Sequence, residues 1–394
     1  MIIKKLTRGV KMATEKIYYQ DAHQAAFQAR VLSCQPGKHG YDVVLDRTCF
    51  YPEGGGQPGD TGFLSGVRVT DTHERSDEIV HFCEQPLAEG QTVDGQIDYE
   101  RRFAFMQLHS GEHILSGVVH RRFGYENVGF HMGADFVTID FSGMLTPEEL
   151  SAVEAETNEW VWKNVPIEIA YPDAEALKTI SYRSKKELTG QVRIVTIPGA
   201  DICACCGTHV SNTGEIGLIK IFSCVKFHDG VRLELLCGRR ALAYLSAIAE
   251  QNRRVSGLLS AKPLETAAAV QRLLDAEAAQ KQRAAGLEEA VFAQKAQTLM
   301  GKGNVLLFEP AMSPDSLRRL TDLVMSACGG RAAIFAGSDA EGYKYAVGEQ
   351  NGDLRRLVKD LNAQLHGRGG GKPFFVQGSV QTGRAEIEAF FAGR

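Results

Sequence analysis

Residues 107–117, QLHSGEHILSG, place two histidines four positions apart in an apolar run, with a glutamate immediately before the second histidine. Residues i and i+4 of a helix lie on one face, so His109 and His113 can reach the same metal ion. The apolar residues around them predict a helix from about Arg102 to Phe123. The remainder of the fold must then bring further ligands to this helix.

A second motif, CACCGTHV at residues 203–210, supplies such ligands. Cys205 and His209 bracket a glycine-containing turn and offer one thiolate and one imidazole. Zinc favours nitrogen and sulfur ligands in tetrahedral geometry. The sequence therefore predicts a Zn²⁺ site formed by His109, His113, Cys205 and His209.

Two other interpretations of the same residues stay open. HSGEH also matches the H-x-x-E-H pattern of a group of zinc peptidases, in which Glu112 would be the general base. Those enzymes complete their site with a carboxylate, whereas this chain offers a cysteine and a histidine. A closed structural zinc is the other alternative, because four protein ligands can fill the tetrahedron.

Composition indicates a globular protein with about two to four domains in its 394 residues. Hydrophobic residues make up 44% and charged residues 23%, and no apolar run approaches the length of a membrane span, which argues against a membrane role. With a net charge of -4, RNA contacts would have to come from local basic patches. Nine unevenly spaced cysteines favour a reducing, cytoplasmic location. The basic start MIIKKLTRGVKM lacks the apolar core of a signal peptide, and Met12 offers an alternative start.

The order of apolar and glycine-rich segments predicts an α+β fold with four parts. Residues 12–95 predict a small β-barrel-like domain with strands at FQARVL, YDVVLD, GVRVTDT and EIVHFC. Residues 96–240 predict a zinc-containing α+β domain with an antiparallel sheet, in which a capping box at residues 146–149 opens a helix. Residues 241–300 predict a helical hairpin arm broken at AKPLE, and residues 301–394 an α/β domain with a glycine loop, GRGGGKPFFVQG.

Three motifs, YPEGGGQPGDTG, HSGEH and CCGTH, match in order and spacing the editing domain of alanyl-tRNA synthetases and the freestanding AlaX-type editing proteins, which the chain resembles. The likeness continues through EIGLIKIFSCVKFHDGVRLELLCG and the helical arm. GRGGGKPFFVQG is similar to the glycine-rich domain shared by these synthetases and some DHH phosphoesterases. The resemblance covers the chain from about Met12 onward.

This resemblance implies a trans-editing hydrolase that deacylates tRNA(Ala) mischarged with serine or glycine, with metal ligands at the four residues already named. The segment before His109 is too short for a class II aminoacylation domain, so we expect editing without aminoacylation. A non-catalytic zinc-containing tRNA-binding protein is the alternative. The expected partner is the acceptor end of tRNA(Ala), and a homodimer could form through the helical arm or the C-terminal domain.

The family pattern also suggests roles for further residues. Glu112 stands where relatives carry a small or hydroxyl residue and is a candidate catalytic base. Gln57 and His131 are predicted to bind substrate, and Cys206, where relatives have glycine, is interpreted as a bystander. The predicted RNA contacts are Arg101, Arg102, Arg368 and Lys372, with Arg121, Arg122 and the RSKKE segment at residues 183–187 as further basic patches.

Overall fold

The computed structural model describes residues 13–38, 40–184 and 190–393, and the chain divides into two compact units, Met1–Gln251 and Asn252–Arg394. The basic start and Lys185, Lys186 and Glu187 of the RSKKE segment lie outside the described residues. Within the described part, none of the helices combines the length and apolar character needed to span a bilayer. The predicted α+β class is confirmed.

The first unit begins with a six-stranded closed barrel in the order β2-β3-β7-β6-β5-β8. Alternate residues of β8 are buried, as expected for strands with one face toward a core. The four strands predicted from FQARVL, YDVVLD, GVRVTDT and EIVHFC are confirmed. The strands of this part are β1 (Glu15–Lys16), β2 (Ala26–Gly37), β3 (Gly40–Leu45), β4 (Arg47–Thr48), β5 (Gly62–Leu64), β6 (Val67–Arg75), β7 (Glu78–Cys83) and β8 (Thr92–Ile97).

The rest of this unit surrounds one long helix with two small sheets. The sheet orders are β14-β15-β10-β9 and β11-β12-β13, and every pairing in them is antiparallel. The elements are α1 (Tyr99–Phe123), β9 (Asn127–Met132), β10 (Val137–Phe141), α2 (Pro147–Lys163), β11 (Glu168–Ala170), α3 (Ala174–Leu177), β12 (Ile194–Ile197), β13 (Asp201–Ala204), β14 (Ile219–Phe227), β15 (Gly230–Cys237) and α4 (Gly238–Leu259).

Helix α1 is the centre of this arrangement. All residues from 105 to 119 are buried, because α1 contacts α2, β9, β13 and β15 on different sides. The helix ends at Gly124, whose left-handed φ of 70° lets its N–H cap the carbonyl of His120. The predicted capping box at Thr146 and Glu149 opens α2, as expected. The two histidines of α1 therefore face protein on every side.

The second unit holds a five-stranded sheet in the order β16-β17-β18-β20-β19. GRGGGKPFFVQG forms the antiparallel hairpin of β19 and β20, so the prediction of a loop is wrong. Glycine is needed there because a Cβ at Gly369 would lie 2.0 Å from the Tyr345 hydroxyl. The elements are α5 (Thr266–Thr298), β16 (Gly303–Glu309), α6 (Pro314–Cys328), β17 (Gly329–Ser338), β18 (Gly342–Glu349), α7 (Arg355–Gln364), β19 (Gly367–Lys372), β20 (Phe375–Val380) and α8 (Arg384–Phe391). The two helices predicted around AKPLE are confirmed as α4 and α5.

Arg102 ties the start of α1 to the barrel. Its side chain is fully buried and forms an ion pair with Asp60. The same guanidinium donates to the carbonyls of Cys49 (2.6 Å) and Ala22 (2.9 Å). The prediction that Arg102 contacts RNA is therefore wrong, because its donors are used inside the protein.

We expect Asp60→Asn to destabilise the protein by about 3–5 kcal/mol, because it leaves the Arg102 guanidinium buried without its counter-charge. Denaturant unfolding would measure the loss. The matched control is Lys178→Gln, which breaks an exposed ion pair with Glu175 and should change stability by about 0–1 kcal/mol. Equal, small effects of the two substitutions would contradict this account.

Candidate metal centre

Four predicted side chains converge beside α1. His109 and His113 project from the helix, and Cys205 and His209 follow β13; one ligand atom from each lies within 4.8 Å of all the others. The Cys205 Sγ is 3.3 Å from His109 Nε2 and 3.4 Å from His209 Nε2. Tetrahedral zinc with nitrogen and sulfur ligands would separate such atoms by about 3.5 Å. The donor set and its spacing fit a zinc-like cation.

Each of the three imidazoles is held from behind by a hydrogen bond at Nδ1. The His109 Nδ1–H donates to Gln57 Oε1 (2.9 Å), and the His113 Nδ1–H donates to Asp201 Oδ2 (3.0 Å). The His209 Nδ1 is bonded to the Ser110 hydroxyl (3.2 Å). Partners of this kind fix the tautomer of a metal-binding histidine and orient its ring. With Nδ1 of each ring engaged, Nε2 is the nitrogen that remains for a cation once it carries no proton.

The turn carrying Cys205 and His209 is hydrogen-bonded to Gln57 and Ser110, which also bond ligand imidazoles. The Thr208 N–H donates to Gln57 Oε1 (3.2 Å), and the Val210 N–H donates to the Ser110 hydroxyl (3.2 Å). Glycine is required at position 207, because a Cβ there would lie 2.0 Å from the imidazole ring of His109. The ligand turn therefore packs directly against a ligand of the helix.

Electrostatics favour the protonation states that bind a cation. Burial alone would raise the pKa of Cys205, but His109, His113 and His209 hold it well below its usual range, which favours the thiolate. Burial lowers the pKa of His209 to about 3, so its ring is neutral. Burial also opposes a charge on His113, yet Cys205 and Asp201 raise its pKa well above the usual value. A proton on His113 must therefore leave when a cation binds.

Gln57 lies behind the ligands and not in a substrate cavity. Its side chain is fully buried, and its Nε2 donates to the Thr208 hydroxyl (2.8 Å) while its Oε1 accepts from His109 and Thr208. The prediction of a direct substrate contact is wrong, because the amide is used within the protein. Its position still links the glycine-rich segment 51–62 to the metal ligands.

The second predicted substrate contact, His131, lies outside the metal cluster. It lies on β9 and is exposed, whereas its neighbour Phe130 packs against His109 with ring centroids 5.3 Å apart. Successive side chains of a strand point to opposite faces, so His131 points away from the centre when Phe130 points toward it. His131 therefore does not join the metal cluster, and its role in substrate binding stays a prediction.

Glu112 is buried beside the cluster. Its Oε1 accepts hydrogen bonds from the Ser116 hydroxyl (2.8 Å) and the Asn127 amide (2.5 Å). Its Oε2 lies 3.8 Å from His113 Nε2, the nitrogen that faces the other ligands. The carboxylate is thus held in one orientation next to the centre. The peptidase interpretation is wrong, because Cys205 and His209 complete the cluster in place of a carboxylate.

Sequence reasoning missed the residues that orient the ligands. Ser110 stands inside the quoted histidine motif, and Asp201 stands four positions before Cys205, so proximity to a ligand was the available signal. That proximity does not show which imidazole Ser110 or Asp201 bonds. Cys206 is exposed, and the cluster is complete without it, in keeping with its interpretation as a bystander.

The basic residues predicted to contact RNA lie in different surroundings. Arg101 is half-buried, and its guanidinium donates to the Gly59 carbonyl (2.6 Å) and covers the Phe105 ring. Arg121 and Arg122 both pair with Glu156. Arg368 and Lys372 are exposed on β19 of the second unit. Contacts of these side chains with RNA stay predictions.

Known families match three parts of the chain. The second additional domain of threonyl and alanyl tRNA synthetases matches residues 192–256, class II (A) tRNA synthetases match residues 4–101, and the DHHA1 domain matches residues 301–392. The first match includes Cys205 and His209.

Individual relatives extend these matches. Alanyl-tRNA editing protein AlaX-L of Pyrococcus horikoshii is 28% identical over 95% of this chain and 96% of its own length. Alanyl-tRNA editing protein Aarsd1 of Mus musculus is 31% identical over 65% of this chain and 67% of its own length. An alanine–tRNA ligase of Pyrobaculum arsenaticum is 32% identical over 93% of this chain, which spans 42% of that ligase.

We expect Gly207→Ala to abolish stoichiometric binding of a divalent cation, because its methyl group would displace the His109 ring. Zinc content after dialysis, measured by mass spectrometry of the metal, would report the loss. Gly286→Ala is the control, since a Cβ at that helical position meets no atom within 4 Å. Full zinc content in Gly207→Ala would contradict the geometry described for the turn.

Proposed function

Because the chain belongs to the alanyl-tRNA editing proteins, we propose that it hydrolyses the ester of tRNA(Ala) mischarged with serine or glycine. The proposed reaction centre is the cluster of His109, His113, Cys205 and His209, with Zn²⁺ as the bound ion. The observation that carries this proposal is the buried His₃Cys cluster, in which each Nδ1 is already bonded and each Nε2 faces its neighbours. Relatives named as editing proteins share most of the chain.

The protein's contribution to the chemistry is to build a dry, oriented site. When bound, zinc would supply Lewis-acid polarisation of a carbonyl or help to orient the substrate. Gln57, Ser110 and Asp201 bond the Nδ1 atoms of the three imidazoles and so fix the direction of the rings. The burial of α1 excludes bulk water from the ligands, which strengthens electrostatic interactions there.

Glu112 is the proposed general base. Ester hydrolysis requires a proton to be taken from the attacking water, and a carboxylate beside the centre can accept it. The hydrogen bonds from Ser116 and Asn127 hold the Glu112 carboxylate while its Oε2 stays near the centre. An alternative role for the Glu112 carboxylate is to orient the ammonium group of the substrate, which its negative charge attracts.

Binding of the tRNA is proposed to use basic residues of both units. Arg368 and Lys372 are exposed on β19, on either side of glycines 369–371, and the half-buried Arg101 lies in the first turn of α1. Such side chains contact phosphates without reading sequence. Because the substrate comes from the translation machinery, the proposal places the protein in the cytoplasm.

The homodimer predicted through the helical arm stays a prediction. Its support is a series of exposed apolar side chains on and between α4 and α5, with Leu258 86% exposed and Leu264 99% exposed. Large apolar groups left in water favour association.

A second candidate function follows from the ligand count. Four protein ligands can close the tetrahedron around zinc, which is typical of structural sites. The protein would then bind tRNA without cleaving its ester. The two functions predict different outcomes in the deacylation experiment below.

We expect the purified protein to release serine or glycine from mischarged tRNA(Ala) while sparing Ala-tRNA(Ala), and to lose this activity after treatment with a zinc chelator. The measurement follows ester loss with tRNA(Ala) charged separately with each amino acid, and zinc is added back as the control. Survival of every ester with a folded, zinc-loaded protein would contradict catalysis and favour the structural ion.

We expect Glu112→Gln to lower the deacylation rate by roughly 10²–10⁴-fold, the usual contribution of a general base, with zinc content unchanged. Glutamine keeps an oxygen for Ser116 and Asn127 but cannot take up a proton. The control is Glu175→Gln on the exposed helix α3. A rate equal to that of the unsubstituted protein would remove Glu112 from the mechanism.

A further inference from the structure

The metal-binding turn at residues 205–207 presents three successive main-chain carbonyls, and each accepts a hydrogen bond from a side chain outside the turn. The Arg193 Nη1 donates to the carbonyls of Cys205 (2.7 Å) and Gly207 (3.0 Å). The Tyr19 hydroxyl donates to the carbonyl of Cys206 (3.1 Å). We call Arg193 and Tyr19 the carbonyl clamp.

Arg193 is an unusual residue for this position. It is 5% exposed, so its guanidinium is shielded from water. Its buried Nε has no hydrogen-bond partner among the described residues. A buried guanidinium that donates to two main-chain carbonyls of one turn ties that turn to the segment before β12.

Tyr19 reaches the turn from a distant part of the sequence. It ends the 3-10 helix Ile17–Tyr19, whereas Arg193 precedes β12. The Arg193 guanidinium carbon lies 5.1 Å from the centroid of the Tyr19 ring, within the range of a cation–π contact. Arg193 and Tyr19 therefore contact each other. Arg193 donates to the first and third carbonyls of the turn, and Tyr19 donates to the second.

We propose that the carbonyl clamp is a positioning device that sets the direction of the Cys205 sulfur toward the three histidines. Neither residue belongs to the ligand set, so both would act through the turn. A peptide unit that is free to rotate about residue 205 or 206 would move Sγ relative to the fixed histidines on α1. The inference rests on the metal centre of the proposed function, but not on the reaction assigned to it.

The planar guanidinium matters more than its charge in this account. The carbonyls of Cys205 and Gly207 both accept from one terminal nitrogen, Nη1, which the rigid guanidinium plane holds in place. A lysine side chain is one bond shorter, and its ammonium sits on a flexible stem. Arg193→Lys should therefore keep the charge and lose the geometry. Tyr19→Phe should remove only the hydrogen bond to the Cys206 carbonyl and keep the ring beneath Arg193.

The experiment loads the full chain with Co²⁺ in place of zinc and records the thiolate-to-cobalt charge-transfer band, together with Co²⁺ affinity by competition with a chelator. We expect Arg193→Lys to weaken metal binding by about 10–100-fold, the usual cost of removing a residue that supports a ligand, and to shift or weaken the band. Tyr19→Phe should change both measurements in the same direction by less. Arg232→Lys and Tyr343→Phe, which alter polar contacts away from the cluster, are the matched controls.

The outcomes separate the two proposals. Unchanged affinity and spectrum in Arg193→Lys and Tyr19→Phe, with a normal band in the unsubstituted protein, would overturn the clamp alone. Absence of Co²⁺ binding by the unsubstituted protein would overturn the metal centre and the clamp together. Circular dichroism of the metal-free proteins checks folding, and if Arg193→Lys does not fold, the result for Tyr19→Phe decides.

Discussion

The bond that holds each imidazole at Nδ1 is the constraint on which the first unit depends. A metal-binding histidine almost always has a partner at its other ring nitrogen, and here three partners come from three different segments. Gln57 comes from the segment between β4 and β5, Ser110 from α1 itself and Asp201 from β13. The barrel, the helix and the small sheet must each be in place for one cluster to form.

Burial of α1 on every side follows from the same constraint. A helix with one polar face would leave His109 and His113 in water, where their orientation and the low pKa of Cys205 would be lost. Surrounding the helix instead requires an anchor at its start, and the fully buried pair of Arg102 and Asp60 provides it. The polar groups that orient the ligands and the pair that fixes the helix to the barrel are all buried.

Much of this could be predicted from the sequence, but only where the signal was local. The i, i+4 histidines and the Cys-x3-His turn identified the residues that converge, and apolar alternation located most strands. Gln57 was assigned to substrate because the direction of its amide depends on how the barrel packs against α1. The position of His131 could not be predicted because the glycines around it concealed strand β9, in which alternation assigns the inward position to Phe130. The prediction of an RNA contact for Arg102 fails because its buried partner, Asp60, is distant in sequence.

The cluster also joins residues that are far apart along the chain: 52 positions separate Gln57 from His109, and 96 separate His109 from Cys205. During synthesis from the N-terminus, the barrel and α1 emerge long before the turn that carries the last two ligands. A cation can be held by the full set only after those late residues have docked. A cation bound at this cluster would therefore report that the barrel, α1 and the late turn have come together in one chain.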